Sequence, residues 1–335
     1  KMVTGDTSVT AKAIAKQVGL WKEDDNEDAI ITGTELSELS DKELRQRIMK
    51  LKVISRARPM DKKLLVETLQ DMNQVVAVTG DGTNDAPALK AAHVGLSMGD
   101  GTNVAKQASD ITITDNSFTS IGRAVMWGRS LYQNIQRFIL FQMIVNVVAC
   151  LVVVFGAFLG EQPPLTVTQM LWVNLIMDTF AAMALASLPP NERVMQSKPR
   201  NRKDFIITKP MGIMIASIGV LFFAFLMTLL YVFKHYDIKA FADIFLFGEY
   251  RGGIGISPKE GSMFFTVFVM LQFWNMFNAK AYMSGRSAFH FKNCGSFLLI
   301  AAIILAGQVA IVTFGGKMFS VTPLSVADWV VMIAL

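Results

Sequence analysis

Charge is scarce in this sequence. Of its 335 residues 18% are Asp, Glu, Lys or Arg, against about a quarter in a typical soluble domain. The scarcity is local: residues 1–134 hold 17 basic and 18 acidic groups, and residues 135–335 hold 15 and 9. That asymmetry excludes a uniform soluble globule. It also excludes reading the overall charge of +5 as a nucleic-acid footprint, so no nucleic-acid partner is expected. Cysteine is scarcer still. Cys150 and Cys294, in or beside apolar runs, exclude a disulfide framework and fit no metal-ligand spacing, so both read as packing residues. No signal-peptide pattern precedes the first domain-like segment, and the chain reads as starting in mid-domain at Lys1.

What is abundant is long apolar sequence. A helix needs about 20 apolar residues to cross the hydrocarbon core. Runs 138–159, 211–233, 262–279 and 295–316 carry no charge, and 165–188 carries one, Asp178. A sixth run at 325–335 is too short to span and reads as truncated. The loops 189–210 and 280–294 hold Arg193, Lys198, Arg200, Arg202, Lys203, Lys209, Lys280, Arg286 and Lys292, whereas the alternate loops are poorer in cations or diluted by acids. By the positive-inside rule the basic loops, and residues 1–134 with them, are expected in the cytoplasm. The expected location is the plasma membrane, and the short cytoplasmic connections point to a bacterial inner membrane.

Residues 1–118 have a different grammar. Val53–Ser55, Val75–Thr79, Val94–Ser97 and Ile111–Thr114 read as strands, with Asp61–Met72, Ala86–Ala92 and Asn103–Ser109 as helices between them. This is the rhythm of an α/β domain with a parallel sheet. Ser40 with Glu43 predicts a capping box, and Asp85 with Pro87 predicts a capped helix start. From Ser120 a helical pattern runs into the first apolar span, so 119–137 is expected to be a stiff stalk helix.

Two strand ends carry Thr-Gly-Asp: Thr4-Gly5-Asp6 and Thr79-Gly80-Asp81, the second extended by Gly82-Thr83-Asn84-Asp85. Ligands bind at the carboxyl ends of strands in open parallel sheets. Hard oxygen ligands at this density suit Mg²⁺ beside a phosphate, and they outweigh the reading as a mere acidic turn.

Those strings, with Arg58-Pro59-Met60-Asp61-Lys62-Lys63 between them, resemble the phosphorylation domain of P-type ATPases, a haloacid-dehalogenase-like fold. Met170-Leu171-Trp172-Val173-Asn174-Leu175-Ile176-Met177-Asp178-Thr179 resembles the sixth span of calcium pumps of the plasma-membrane type. The resemblance covers the chain and implies a partial phosphorylation domain at 1–118, the stalk, and an all-α transmembrane bundle of about six spans at 138–335. It implies roles: Asp81 and Asp85 at Mg²⁺, Asn84 and Asp85 orienting the phosphoryl group, Lys62 neutralising its oxygens, and Thr4, Gly5 and Asp6 cradling the phosphate. ATP is the implied substrate. The Asp-Lys-Thr-Gly-Thr string that bears the nucleophile of such pumps does not occur in the sequence. The expectation is therefore a C-terminal portion, inactive alone, whose partners are the lipid bilayer and the N-terminal part of the same pump, with its nucleotide-binding domain.

Asp178 is the one ionisable residue well inside a complete run, and charge at that depth is expensive unless it serves a function. Asn174 lies four residues earlier, on the same face of an α-helix, and Asn146 sits at mid-depth of the preceding run with Gln142 one turn away. These oxygens form part of a Ca²⁺ shell, fewer than the six to eight that Ca²⁺ takes; similar pumps complete it from the fourth span. The alternative for the two amides is helix-to-helix hydrogen bonding. Two-site calcium pumps carry an acid, a threonine and a glutamate where this sequence has Ala149, Met177 and Gln272, so one Ca²⁺ per cycle is expected. Gln272, Asn275 and Asn278 read as helix-packing glue, and His93, His235 and His290 as surface or interface residues. The competing functions are a pump for another cation such as Mn²⁺ and a non-catalytic membrane remnant or partner.

Overall fold

The computed structural model describes residues 1–158, 164–201, 203–246, 248–253 and 255–334. They fall into two compact units, Lys1–Ala124 and Val125–Leu335.

The first unit is α/β. Strands β1 (Met2–Val3), β2 (Ile30–Thr32) and β3 (Val53–Ser55) form one parallel sheet in the order β1-β3-β2, with Met2 and Ile30 both in register with Val53. Strands β4 (Ala77–Gly80), β5 (Val94–Met98) and β6 (Ile111–Ile113) form a second parallel sheet, with Thr79, Leu96 and Ile111 in register. The expected parallel sheet thus resolves into two three-stranded sheets. β3 is buried throughout, as a central parallel strand must be. The crossovers are helical: α1 (Ser8–Gln17), α2 (Gly33–Glu38), α3 (Asp41–Arg47), α4 (Pro59–Asp71), α5 (Ala86–Ala91) and α6 (Asn103–Ala108). Both Ser40–Glu43 and Thr32–Glu35 close capping boxes. β4 begins two residues later than the hydropathy predicts because the Val76 N–H is taken by His93 Nδ1 at 3.1 Å, while His93 N–H donates to Val76 O. His93 thus ties the strand entry rather than standing at the surface.

Helix α7 (Phe118–Phe158) is continuous for 41 residues and begins one residue before the expected stalk. The second unit continues with α8 (Val167–Leu171), a π-helical stretch Trp172–Met177, α9 (Asp178–Ala186), α10 (Lys209–His235), α11 (Pro258–Ala281), α12 (Gly295–Phe314), α13 (Gly316–Phe319) and α14 (Val326–Ala334). Among the described residues four helices are long and apolar enough to cross a membrane: Phe118–Gly156, Val167–Ala186, Lys209–His235 and Gly295–Phe314. The other two expected spans fall on α11, whose 24 residues include Lys259, Glu260, Gln272, Asn275, Asn278 and Lys280, and on α14, which has nine. α11 is the most enclosed helix: Met263 through Met270 are all buried, within one apolar core that includes residues of α7, α9, α10, α12 and α14. Cys294 is buried as a packing residue, but Cys150 is exposed.

Candidate functional site

In the first unit the chemistry gathers around Asp85. β4 ends at Gly80, and the chain turns through Asp81 and Gly82 into a 3₁₀ turn, Thr83–Asp85. The Asp85 side chain does not cap α5, contrary to the sequence expectation. It folds back over the loop instead: Oδ2 accepts N–H bonds from Asp81 at 3.2 Å and Gly82 at 3.1 Å, and Oδ1 accepts from Lys62 Nζ at 2.5 Å. Glycine is required beneath it, because a Cβ on Gly80 would lie 2.4 Å from Asp85 Cβ and 2.8 Å from Oδ2. Lys62 is delivered by α4, whose entry is set by Pro59 in the first turn and by Asp61 accepting the Arg58 N–H at 2.8 Å. The Asp81 carbonyl accepts from Thr102 N–H at 2.8 Å, while its carboxylate is exposed and has no hydrogen-bond partner among the described residues. Asn84 is also exposed.

Thr4-Gly5-Asp6 follows β1. Thr4 Oγ1 donates to Asp6 Oδ2 at 2.8 Å, and the loop is pinned by Arg56 N–H to Asp6 O and Ala57 N–H to Thr4 O. Gly5 has open space where a side chain would stand. Among the described residues no hydrogen bond or ion pair joins this loop to the 79–85 loop. Lys62, Asp81 and Asp85 are brought together, then, and Thr4–Asp6 is preorganised separately.

In the second unit Asp178 opens α9 directly after the π-helical stretch. Such stretches are rare and occur often at functional sites. Asp178 is buried, and both its carboxylate oxygens lack any hydrogen-bond partner among the described residues. The four-residue spacing from Asn174 crosses this wider turn, and the two side chains differ in environment: Asn174 is exposed, as is Asn146 on α7. Neither amide makes a side-chain hydrogen bond among the described residues, so the helix-joining alternative has no bond to support it. Gln272 and Asn275 are buried, and none of their four amide atoms has a hydrogen-bond partner among the described residues, so no bond supports their reading as glue.

Sequence reasoning missed what holds the π stretch. Trp172 Nε1–H donates to Gln308 Oε1 at 2.9 Å, and Gly307 leaves room for the indole. A lone glutamine in the apolar run 295–312 is the signal that was there to find. Sequence reasoning also missed Arg251, which donates to Phe233 O and to the fully buried Glu260, at 3.0 Å, at the other end of α11.

Residues 162–335 match the family described as cation transporting ATPase, C-terminus, and residues 62–125 match a haloacid dehalogenase-like hydrolase family. The chain belongs to the cation-transporting ATPases. Its relatives include the human plasma membrane calcium-transporting ATPase 3, 42% identical over 98% of the chain and 28% of the relative. The plasma membrane-type calcium-transporting ATPase 9 of Arabidopsis thaliana is 42% identical over 100% of the chain and 30% of the relative. A Dictyostelium discoideum calcium-transporting ATPase is 39% identical over 98% and 31%. The chain spans less than a third of the length of these ATPases. The hydrolase match begins at Lys62, the residue that meets Asp85.

Proposed function

We propose that this chain serves an ATP-driven pump that exports Ca²⁺ across the plasma membrane through an aspartyl-phosphate intermediate, one Ca²⁺ per cycle. The observation that carries the reading is the buried carboxylate of Asp178, with neither oxygen hydrogen-bonded among the described residues, in an apolar helix that follows a π turn. A charge so placed calls for a cation, and hard oxygen donors select Ca²⁺-like ions. In this reading Asp178, Asn174 and Asn146 supply part of the shell, and a segment outside this chain supplies the rest. Ala149 and Met177, both buried, offer no side-chain oxygen for a second ion.

Residues 1–118 act as the phosphorylation domain on the cytoplasmic side, 119–137 as the stalk, and 138–335 as a six-span bundle. Phosphoryl transfer is catalysed chiefly by positioning and by cations at the equatorial oxygens. Lys62, held by Asp85, presents its ammonium for that purpose. The exposed Asp81 carboxylate, with Asp85 beside it, fits Mg²⁺, which when bound would supply further positive charge to the phosphoryl group. Thr4, Gly5 and Asp6 cradle phosphate oxygens, and Asn84 orients them. α7 is one helix from Phe118 to Phe158, so a shift at its first turns reaches the span that holds Asn146.

The test is Ca²⁺ uptake and ATP hydrolysis by the intact protein in sealed vesicles. Hydrolysis should depend on Ca²⁺, with one ion moved per ATP, and Asp178→Ala should abolish both. Hydrolysis indifferent to Ca²⁺ would sink the cation assignment, and a ratio of two would sink the single site.

A further inference from the structure

The π stretch that leads into Asp178 is held by two costly residues of a neighbouring helix. Gln308 is fully buried in α12 and is the one polar side chain between Phe297 and Val312. Its Nε2 has no hydrogen-bond partner among the described residues. A buried amide satisfied at one atom only costs stability that a leucine would not, so its presence is explained by the bond it does make, accepting Trp172 Nε1–H at 2.9 Å. The adjacent Gly307 is unfavourable in a helix interior, and it clears the space that the same indole fills. Two unfavourable choices in succession serve one side chain, and that side chain opens the π stretch Trp172–Met177.

The segments on either side of the stretch are both seated. Upstream, Gln169 is 3% exposed and donates Nε2–H to Phe319 O at 2.9 Å, one turn before Trp172. Downstream, α9 packs along α12 with Ala181, Ala184 and Leu185 buried. Between them the Asp178 N–H reaches Val173 O, five residues back, where an α-helix would use Asn174 O. A π turn takes up one residue more than an α turn, so closing it to α geometry would swing Asp178 by about 100° around the helix axis relative to α8. With Trp172 and α9 both fixed on α12, the extra residue is trapped, and Asp178 keeps its buried direction.

We propose, on the reading of Asp178 as a Ca²⁺ ligand, that Gln308 is a positioning residue for ion binding: it offers the ion no oxygen, but through the Trp172 indole it holds the π turn that aims the Asp178 carboxylate. Ca²⁺-stimulated ATP hydrolysis by the intact protein tests this. Gln308→Met keeps the length of the side chain and loses the acceptor, and Trp172→Phe keeps a ring and loses the donor. Each should raise the half-activating Ca²⁺ concentration about three- to tenfold, the equivalent of one hydrogen bond between membrane helices, and leave the rate at saturating Ca²⁺ within about twofold. The double variant should be no worse than either single, because both remove the same bond. Leu226→Ala, which opens a hole on α10 in the same core, should lower the melting temperature without moving the half-activating concentration. If Gln308→Met fails to fold, Trp172→Phe carries the test. Unchanged Ca²⁺ activation in Trp172→Phe, or an equal shift in Leu226→Ala, overturns the positioning role while Asp178→Ala still abolishes Ca²⁺ dependence. Ca²⁺ dependence that survives Asp178→Ala overturns the ligand reading, and the positioning role with it.

Discussion

The indole of Trp172 donates its N–H to Gln308 at 2.9 Å, and so fastens the π stretch before Asp178 to α12. Gly307, one residue earlier on α12, is what admits the ring: a Cβ there would lie 2.7 Å from Trp172 Cη2. Overpacking a filled core costs about 1–3 kcal/mol. Gly307→Ala is therefore expected to lower thermal stability in detergent by that order, and Trp172→Phe, which leaves Gln308 unpartnered, by about 1 kcal/mol. Rescue of Gly307→Ala by Trp172→Phe, read from a double-mutant cycle, checks that the two act at one contact.

Lys62 and Asp85 make a second prediction. Removing a donor aimed at developing phosphoryl charge costs about 10²–10³ in rate. Lys62→Ala in the intact protein should lower phosphorylation from ATP by that order and leave Ca²⁺ affinity unchanged. Asp85→Asn, which loosens both Lys62 and the Asp81–Gly82 amides, should impair the same step; quenched-flow labelling with radioactive ATP measures it.

For Asp178 the sign of the stability change is diagnostic. An unpartnered buried carboxylate destabilises the ion-free state. Asp178→Asn should raise the melting temperature without Ca²⁺ and remove the increase that Ca²⁺ produces in the parent protein. A variant that melts lower in both conditions would speak for a structural aspartate.

The capping box of α3 predicts a pH dependence. Hydrogen bonds from the Ser40 hydroxyl and backbone N–H hold the Glu43 carboxyl below the usual glutamate range. A depressed acid contributes stability that is present above its unfolded pKa and lost as pH falls through the folded value. The contribution should therefore fade as pH falls below about 4, and Ser40→Ala, which removes the hydroxyl and keeps the backbone N–H, should diminish that part of the profile while costing about 1 kcal/mol at neutral pH. Chemical unfolding of the intact protein against pH measures both.

Glu260 is fully buried and paired with Arg251 at 3.0 Å. Removing one partner of a buried pair costs about 3–5 kcal/mol, so Glu260→Ala should destabilise strongly. Replacing both residues together should cost less than the sum, as read by thermal unfolding.

Local rules carried much of the fold. Alternation of apolar strands with helical patterns placed β3, β5 and β6 close to where they lie; for β3 and the middle of β5, burial on both faces forces a continuous run of residues that tolerate it, whereas β6 is exposed at Ile111 and Thr112. Ser40–Glu43 was legible as a cap because every bond in it lies within four residues. Asp85 was misread as a cap for the converse reason: its partners Lys62, Asp81 and Gly82 include one 23 residues away, and that pairing outcompetes the local bond.

Composition, periodicity and the rarity of intramembrane charge were enough, from the sequence by itself, to divide the chain into an α/β segment and an apolar helical one and to single out Asp178. Only the tertiary structure decided that α11 lies innermost with the Gln272 and Asn275 amides unpartnered among the described residues, that a π turn separates the environments of Asn174 and Asp178, and that Arg137 and Lys280 line one cavity with no carboxylate among its described lining residues. The physical reason is range. Burial and helix period are written in neighbouring residues, whereas the pairing of a polar group inside a bundle depends on which distant helix stands opposite, and no local pattern carries that information.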